Sequence, residues 1–189
     1  TLTDAVYSVE LVAFNQFNCT DTVRKSVRVY PKPRAAITAN KASVCEPDTV
    51  SFTNGSQLNL TNFWSFGDGA TDTTNATLLK HEYQNKGSIP VTRTVQLFVE
   101  SAQGCRDTAV TNVVVNPEII ADFTGGPLAG CHVLRSDFFD NSKGAAQYAW
   151  SFGDGQLDTK PNPVHFFTNT GIIDSSYTIR LIAGSQYGC

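Results

Sequence analysis

The chain of 189 residues contains no methionine, only three histidines and few charged side chains. Charged residues make up 16% of it, against about a quarter in an average soluble protein. With a formal net charge of -3, the sequence has no basic stretch that would neutralise phosphates or hold a membrane surface. No apolar run reaches the length of about 18 residues that suggests a membrane-spanning helix, and no signal peptide opens the sequence. The sequence therefore predicts neither nucleic-acid binding nor membrane insertion of this segment.

Motifs of common catalytic sites are missing as well. The sequence has no Gly-x-Ser-x-Gly elbow, no His-Glu-x-x-His helix and no glycine-rich phosphate loop. His81 and His165 are equivalent positions of a repeat, and each is expected to be a hydrogen-bonded strand residue rather than a metal ligand. Because no nucleophile, base and orienting group can be assembled at repeated positions, we predict no enzymatic activity and no cofactor.

What the sequence does contain is an internal repeat. The segments FWSFGDG and AWSFGDG place Trp64 on Trp150, 86 residues later, and the same offset relates Cys45 to Cys131. The repeat predicts three modules of domain size rather than a stacked array. Residues 1–33 are the C-terminal part of one module, 34–117 a complete module, and 118–189 a module without its last strand.

Alternation of apolar and polar residues predicts β-strands within each module. Val95, Leu97 and Val99 share one strand face, and Ile179 and Leu181 repeat this pattern. Short strands separated by Asn, Gly, Asp and Ser clusters, with a buried Trp, predict an all-β fold of tandem immunoglobulin-like sandwiches. Each module is expected to contain two antiparallel sheets packed face to face.

The two Trp segments resemble the PKD (polycystic kidney disease) family, whose hallmark is Trp-Asp-Phe-Gly-Asp-Gly. Trp and Phe are expected to fill the core, while Asp caps a turn that needs Gly at positive φ. Ser65 and Ser151 replace the first Asp, so no role of that carboxylate is carried over. The matching residues are Trp64, Phe66, Gly67, Asp68 and Gly69, and again Trp150, Phe152, Gly153, Asp154 and Gly155.

The resemblance implies a non-catalytic, extracellular or cell-surface role. The Gly-Cys-x-Asp-Thr stretch at 104–108 is similar to PKD repeats of long Bacteroidota surface proteins, including gliding adhesins secreted through the type IX system. A stalk or filament segment of an adhesin-like protein is therefore expected, with neighbouring modules, cell-surface proteins or polysaccharide as partners. The alternative is a carbohydrate- or protein-binding accessory module of a secreted hydrolase, using exposed aromatics such as Phe14, Phe17, Tyr148 and Tyr187.

The five cysteines recur at repeated positions, which predicts disulfides within modules. Cys45 and Cys105 bracket the complete module, and Cys131 and Cys189 bracket the next, so we pair them in this way. Cys19 matches the second member of a pair, and its partner would precede residue 1. Four cysteines allow three pairings, and five free thiols in a reducing compartment are the alternative to all of them.

Three further kinds of site are suggested by short sequence patterns. Carboxylates four residues apart recur at the same turn, which could offer oxygen ligands to calcium, but two carboxylates alone are too few and turn capping is the alternative. These residues are Asp68, Asp72, Asp154 and Asp158. Asp-Thr pairs resemble the O-glycosylation pattern of exported Bacteroidota proteins, although Asp-Thr can simply begin a strand; the threonines are Thr22, Thr49, Thr73 and Thr108. Asn-x-Ser/Thr sequons, which matter only in a eukaryotic host, occur at Asn18, Asn54, Asn59 and Asn75.

Overall fold

A computed structural model describes residues 3–189, and within this range every regular element is a β-strand. The described residues accordingly form no helix long and apolar enough to cross a membrane. The strands are β1 (Ala5–Phe14), β2 (Thr20–Val29), β3 (Ile37–Ala39), β4 (Ser43–Cys45), β5 (Asp48–Asn54), β6 (Thr61–Ser65), β7 (Thr71–Asp72), β8 (Leu78–Tyr83), β9 (Val91–Glu100), β10 (Arg106–Asn116), β11 (Phe123–Gly126), β12 (Leu134–Asp140), β13 (Gln147–Ser151), β14 (Leu157–Asp158), β15 (Val164–Phe167) and β16 (Arg180–Gly184).

The chain divides into two compact units. Unit 1 consists of Thr1–Ala42, Val50–His81 and Arg93–Val113, and unit 2 consists of Ser43–Thr49, Glu82–Thr92 and Val114–Cys189. The long strands β9 and β10 begin in one unit and end in the other.

Unit 1 contains an aromatic core between two sheets. One sheet has the strand order β3-β5-β8. The other has the order β4-β10-β9-β6-β7, in which β4 itself belongs to unit 2. Phe52 of β5 contacts Trp64 of β6 with ring centroids 6.3 Å apart, and both side chains are fully buried. Because alternate residues of a strand point to one face, Val95 and Leu97 of β9 are also fully buried.

The hairpin of β1 and β2 belongs to unit 1 but is a separate two-stranded sheet. Its antiparallel register runs from Ala5 opposite Val29 to Phe14 opposite Thr20. Val9 and Leu11 occupy the repeat positions of Val95 and Leu97, yet they are 55% and 64% exposed.

Unit 2 contains a second sandwich core with the same plan. Its sheets have the orders β11-β12-β15 and β14-β13-β16. Phe138 of β12 contacts Trp150 of β13 at 5.7 Å, and Phe152 and Phe167 complete the buried cluster. The predicted all-β, tandem immunoglobulin-like fold is confirmed. One strand pair departs from the predicted antiparallel arrangement: β4 runs parallel to the end of β10.

The predicted cysteine pairing is wrong. Cys45 is bonded to Cys189, while Cys105 and Cys131 are free thiols. Cys45 lies opposite Asn116, the last residue of β10, whereas Cys105 precedes the first residue of β10. Eleven strand residues span about 35 Å, far beyond the Cα separation of roughly 7 Å that a disulfide tolerates. Cys19, which we left unpaired, is an exposed free thiol.

Candidate functional site

The turn after the first Trp is held by an aspartate and a histidine. Asp68 lies between Gly67 and Gly69, which have φ angles of 79° and 100°. Its Oδ1 accepts the Ala70 amide at 3.0 Å, and its Oδ2 lies 2.6 Å from Nε2 of His81. Burial raises the pKa of Asp68, but the hydrogen bonds from His81 and Ala70 outweigh this effect and leave the pKa below its ordinary value.

The imidazole is fixed from its other side by an aromatic ring. His81 stacks on Phe66 with ring centroids 4.1 Å apart and planes 7° from parallel. The ring and the carboxylate together hold the histidine, so His81 connects the turn after β6 to the core.

The second Trp turn repeats this geometry closely. Asp154 Oδ2 lies 2.7 Å from Nε2 of His165, and Oδ1 accepts the Gln156 amide at 3.0 Å. His165 stacks on Phe152 at 4.0 Å with planes 4° apart. Burial again raises the pKa of Asp154, and the hydrogen bonds again produce a net lowering. We call the Asp–His pair with its stacked Phe the turn clasp.

The carboxylates considered for calcium all accept turn amides. Asp72 Oδ1 accepts from Thr74 at 2.6 Å, and Asp158 Oδ1 accepts from Lys160 at 2.8 Å. Residues 3–189 contain no group of three or more His, Cys, Asp or Glu side chains arranged to hold a metal ion. Calcium binding at these turns stays a prediction that lacks a third ligand.

A different polar cluster lies in unit 2, beside the bonded Cys45. Glu46 has a fully buried side chain, and its Oε1 lies 2.6 Å from Nζ of Lys86. Lys86 also reaches Glu118 at 3.3 Å, and the bonds to Glu46 and then Glu118 raise the pKa of Lys86. The amide of Asn85 donates to Oε2 of Glu46, and Nδ2 of Asn85 donates to the Val115 carbonyl at 2.8 Å. We call this set the Glu46 cluster; it holds together β4, the loop after β8 and the end of β10.

Three cysteines occupy the same kind of hairpin turn. The Ser101 amide donates to the Cys105 carbonyl at 2.9 Å, and the Cys105 amide donates to Ser101 Oγ at 3.2 Å. Ser185 and Cys189 make the same two bonds at 2.7 and 3.1 Å. Asn15 replaces Ser in the turn of Cys19, with distances of 3.1 and 3.0 Å. We call Cys19, Cys105 and Cys189 hairpin cysteines, and Cys45 and Cys131 front cysteines.

The hairpin of Cys105 lies against the segment that leads into its own module. Asp107 accepts hydrogen bonds from Lys32 Nζ at 2.5 Å and from the Ala35 amide at 2.9 Å. The Lys32 and Ala35 bonds lower the pKa of Asp107 to about 2. This hairpin is therefore at the N-terminal end of the predicted second module.

Comparison with known protein families decides the classification. The family model described as "PKD domain" matches residues 30–115 and 128–189. The chain belongs to the PKD domain family. No curated protein sequence matches it.

Solved structures of low similarity to these PKD modules include two bacterial examples and a carbohydrate-binding protein. The PKD1 domain of the Vibrio cholerae metalloprotease PrtV is 22% identical, with a TM-score of 0.37, and the match covers 45% of this chain and 98% of that one. The PKD1 domain of Vibrio anguillarum Epp is 20% identical, with a TM-score of 0.36 and coverages of 46% and 96%. A structure described for carbohydrate-binding modules of the β-sandwich superfamily is 13% identical, with a TM-score of 0.41 and coverages of 80% and 84%.

The aromatics proposed for ligand binding are dispersed in the structure. Phe14 and Phe17 lie at the tip of the β1–β2 hairpin, whereas Tyr148 and Tyr187 belong to unit 2. The sequence analysis missed Phe63 and Phe98, a cross-strand pair on the outer face of β6 and β9. Their rings are 6.0 Å apart and both are more than two-fifths exposed. The signal was available, because both residues alternate with buried core positions.

The modification candidates are accessible. All four threonines of the Asp-Thr pairs have exposed side chains, and Asn18 and Asn75 are exposed among the sequon asparagines. The amide of Thr22 binds the preceding Asp21 at 2.9 Å, and the amide of Thr49 binds Asp48 at 2.7 Å. Glycosylation at these positions stays a prediction.

Proposed function

We propose that these PKD modules form a non-catalytic structural segment of a stalk or filament in a large secreted or cell-surface protein of the adhesin type. The observation that supports this proposal most is the bond between Cys45 and Cys189, which joins residues 144 positions apart. Both cysteines lie in unit 2, which combines residues 43–49 of the predicted second module with the predicted third module, so the bond joins the two predicted modules. Such a bond persists in oxidising compartments, which agrees with an extracellular location. Bacteroidota gliding adhesins exported by the type IX system are the proposed context.

The mechanical role makes a measurable prediction. When the chain is pulled from its two ends, the load passes from Cys45 directly to Cys189, so the residues between them cannot be extended. Replacing Cys189→Ser, or adding reductant, should release 144 residues, equivalent to about 500 Å of additional contour length.

Single-molecule force measurements on the full chain can test this. Cys19→Ser is the matched control, because Cys19 is a free thiol and its loss should leave the extension unchanged. If the wild type and Cys189→Ser chains reach equal lengths without reductant, the load-bearing role is wrong.

A second candidate function, glycan binding, is favoured by the exposed pair of Phe63 and Phe98. The two rings line a shallow cavity of about 350 Å³, and polar groups flank them. Among these groups, Arg106 and Glu100 form an ion pair at 2.7 Å. Two adjacent rings with hydrogen-bonding neighbours suit a polysaccharide chain. A double Phe63→Ala, Phe98→Ala variant should then lose polysaccharide retention in affinity electrophoresis, while Phe14→Ala should not. No retention of the wild type by any of a broad set of polysaccharides would contradict this candidate.

A further inference from the structure

The connectivity of the one disulfide suggests a rule for the remaining cysteines. It joins a front cysteine to the hairpin cysteine of the next predicted module, and the two other cysteines of those modules are left as thiols. We infer that every junction of this PKD array carries the same bond, so that Cys105 pairs with the front cysteine of the preceding module and Cys131 with the hairpin cysteine of the following one. This inference rests on the proposed tandem-module function.

The first argument is the place of the front cysteine in the fold. Ser43 pairs with Val114 and Cys45 with Asn116, and Pro117 follows directly. The parallel pairing of β4 with the end of β10 thus brings a residue from early in the module to the point where the chain leaves it. A front cysteine therefore faces the next module.

The second argument is the place of the hairpin cysteine. The bonds from Lys32 and Ala35 to Asp107 hold the Cys105 hairpin against the segment that enters its module. The turn of Cys189 has the same internal hydrogen bonds and a glycine at positive φ, Gly188, where the Cys105 turn has Gly104. A hairpin cysteine therefore faces the previous module.

The positions of the front and hairpin cysteines explain why a disulfide forms across a linker and not within one module. The front and hairpin cysteines of one module are separated by the length of β10, whereas those on the two sides of a linker are close, with Cα atoms 5.6 Å apart for Cys45 and Cys189. Every junction built from the same parts brings one front and one hairpin cysteine together. Three thiols remain in this chain because their partners belong to other modules, not because they are reactive sites.

The chemistry of each bond is ordinary thiol oxidation. Two thiols form one S–S bond and lose two protons and two electrons, which a disulfide-carrying oxidoreductase of the export compartment takes up as it becomes a dithiol. Successive bonds would enclose overlapping loops, since residues 131–189 lie inside the loop closed by Cys45 and also inside the one closed by Cys131.

Peptide mapping of the native protein tests the inference. The protein that carries this chain is isolated from its source with thiols blocked by N-ethylmaleimide, digested without reduction and analysed by mass spectrometry. We expect Cys45 linked to Cys189, and Cys105 and Cys131 each linked to a peptide from outside residues 1–189. Blocked thiols at Cys105 and Cys131, or bonds from Cys45 to Cys105 and from Cys131 to Cys189, would overturn it.

The mapping and the force measurement distinguish failure of this inference from failure of the proposed function. Blocked thiols at Cys105 and Cys131 would remove the repeated bond but leave the Cys45–Cys189 bond able to carry load. Equal extensions of wild type and Cys189→Ser chains would instead remove the proposed mechanical function, whatever the mapping gives for the other cysteines.

Discussion

The two Trp turns have the same contacts in both copies of the repeat, whereas the contacts around Glu46 differ from those around its repeat position, His132. The turn clasps of Asp68–His81 and Asp154–His165 agree within 0.1 Å in their carboxylate–imidazole distances. The Glu46 cluster has no such copy, because His132 stands at the repeat position of Glu46 and Thr170 at that of Lys86.

One hydrogen bond to a backbone amide is nevertheless common to the Glu46 and His132 positions. His132 Nδ1 accepts the amide of Asn169 at 3.3 Å, where Glu46 accepts the amide of Asn85. The loop is therefore held by a carboxylate oxygen in one predicted module and by an imidazole nitrogen in the other, while the ion pair with lysine is formed at Glu46 alone of the two positions. The Asp–His contact of the turn is common to both modules.

The similarity of the two turns predicts that equivalent glycine substitutions cost the same. A Cβ on Gly67 would lie 2.6 Å from the Thr94 carbonyl oxygen, and one on Gly153 would lie 2.8 Å from the Thr178 backbone. With the added strain of positive φ, Gly67→Ala and Gly153→Ala should each lower the free energy of unfolding by about 3 kcal/mol.

Gly69→Ala is the matched control for this prediction. Its φ is 100°, but a Cβ there would meet nothing within 4 Å, so only the backbone strain of about 1 to 2 kcal/mol is expected. Urea unfolding followed by tryptophan fluorescence measures each loss, in chains where the other Trp is replaced by Phe. Equal costs for Gly67→Ala and Gly69→Ala would show that close approach to the neighbouring strand is unimportant.

One difference between the turns should be measurable. Trp150 Nε1 donates to the Lys160 carbonyl at 2.9 Å, whereas Nε1 of the buried Trp64 has no hydrogen-bond partner among residues 3–189. Trp150→Phe should therefore destabilise by about 1 kcal/mol more than Trp64→Phe, because only the first loses a hydrogen bond. Amide hydrogen exchange measures the decrease in protection of β13 in the Trp150→Phe variant and of β6 in the Trp64→Phe variant, each relative to the wild type. Equal decreases would contradict the prediction.

The repeat explains why much of the fold could be predicted. Alternation identified β9 and its buried residues Val95, Leu97 and Val99, since burial of one strand face leaves a pattern in the sequence. The hairpin of β1 and β2 has the same pattern, yet Val9 and Leu11 are exposed, because alternation gives the face of a strand and not what covers it.

The cysteine pairing could not be derived in the same way. Periodicity relates Cys45 to Cys131 and Cys105 to Cys189 equally well whether bonds form within modules or between them. The parallel pairing of β4 with the end of β10 decides the question, and three residues are too short a strand to recognise from the sequence. The Glu46–Lys86 contact was missed because the two residues are far apart in sequence and are not repeated. The clasp left a signal that was not used, namely that Asp68 and His81 both recur.

The smallest predicted effect concerns the carboxylates of the two clasps. Asp68→Asn and Asp154→Asn should each cost about 1 kcal/mol at pH 7, through weaker hydrogen bonds to the turn amide and the imidazole. Both carboxyl groups have a folded pKa below 3.8, so their stabilisation is present above that pH and is lost as the pH falls through the folded pKa. The difference between each variant and the wild type should therefore shrink in urea unfolding measured at successively lower pH. A difference that stays constant down to the acid unfolding of the chain would mean that the charge of the carboxylate contributes nothing, and that Asn caps the turn as well as Asp does.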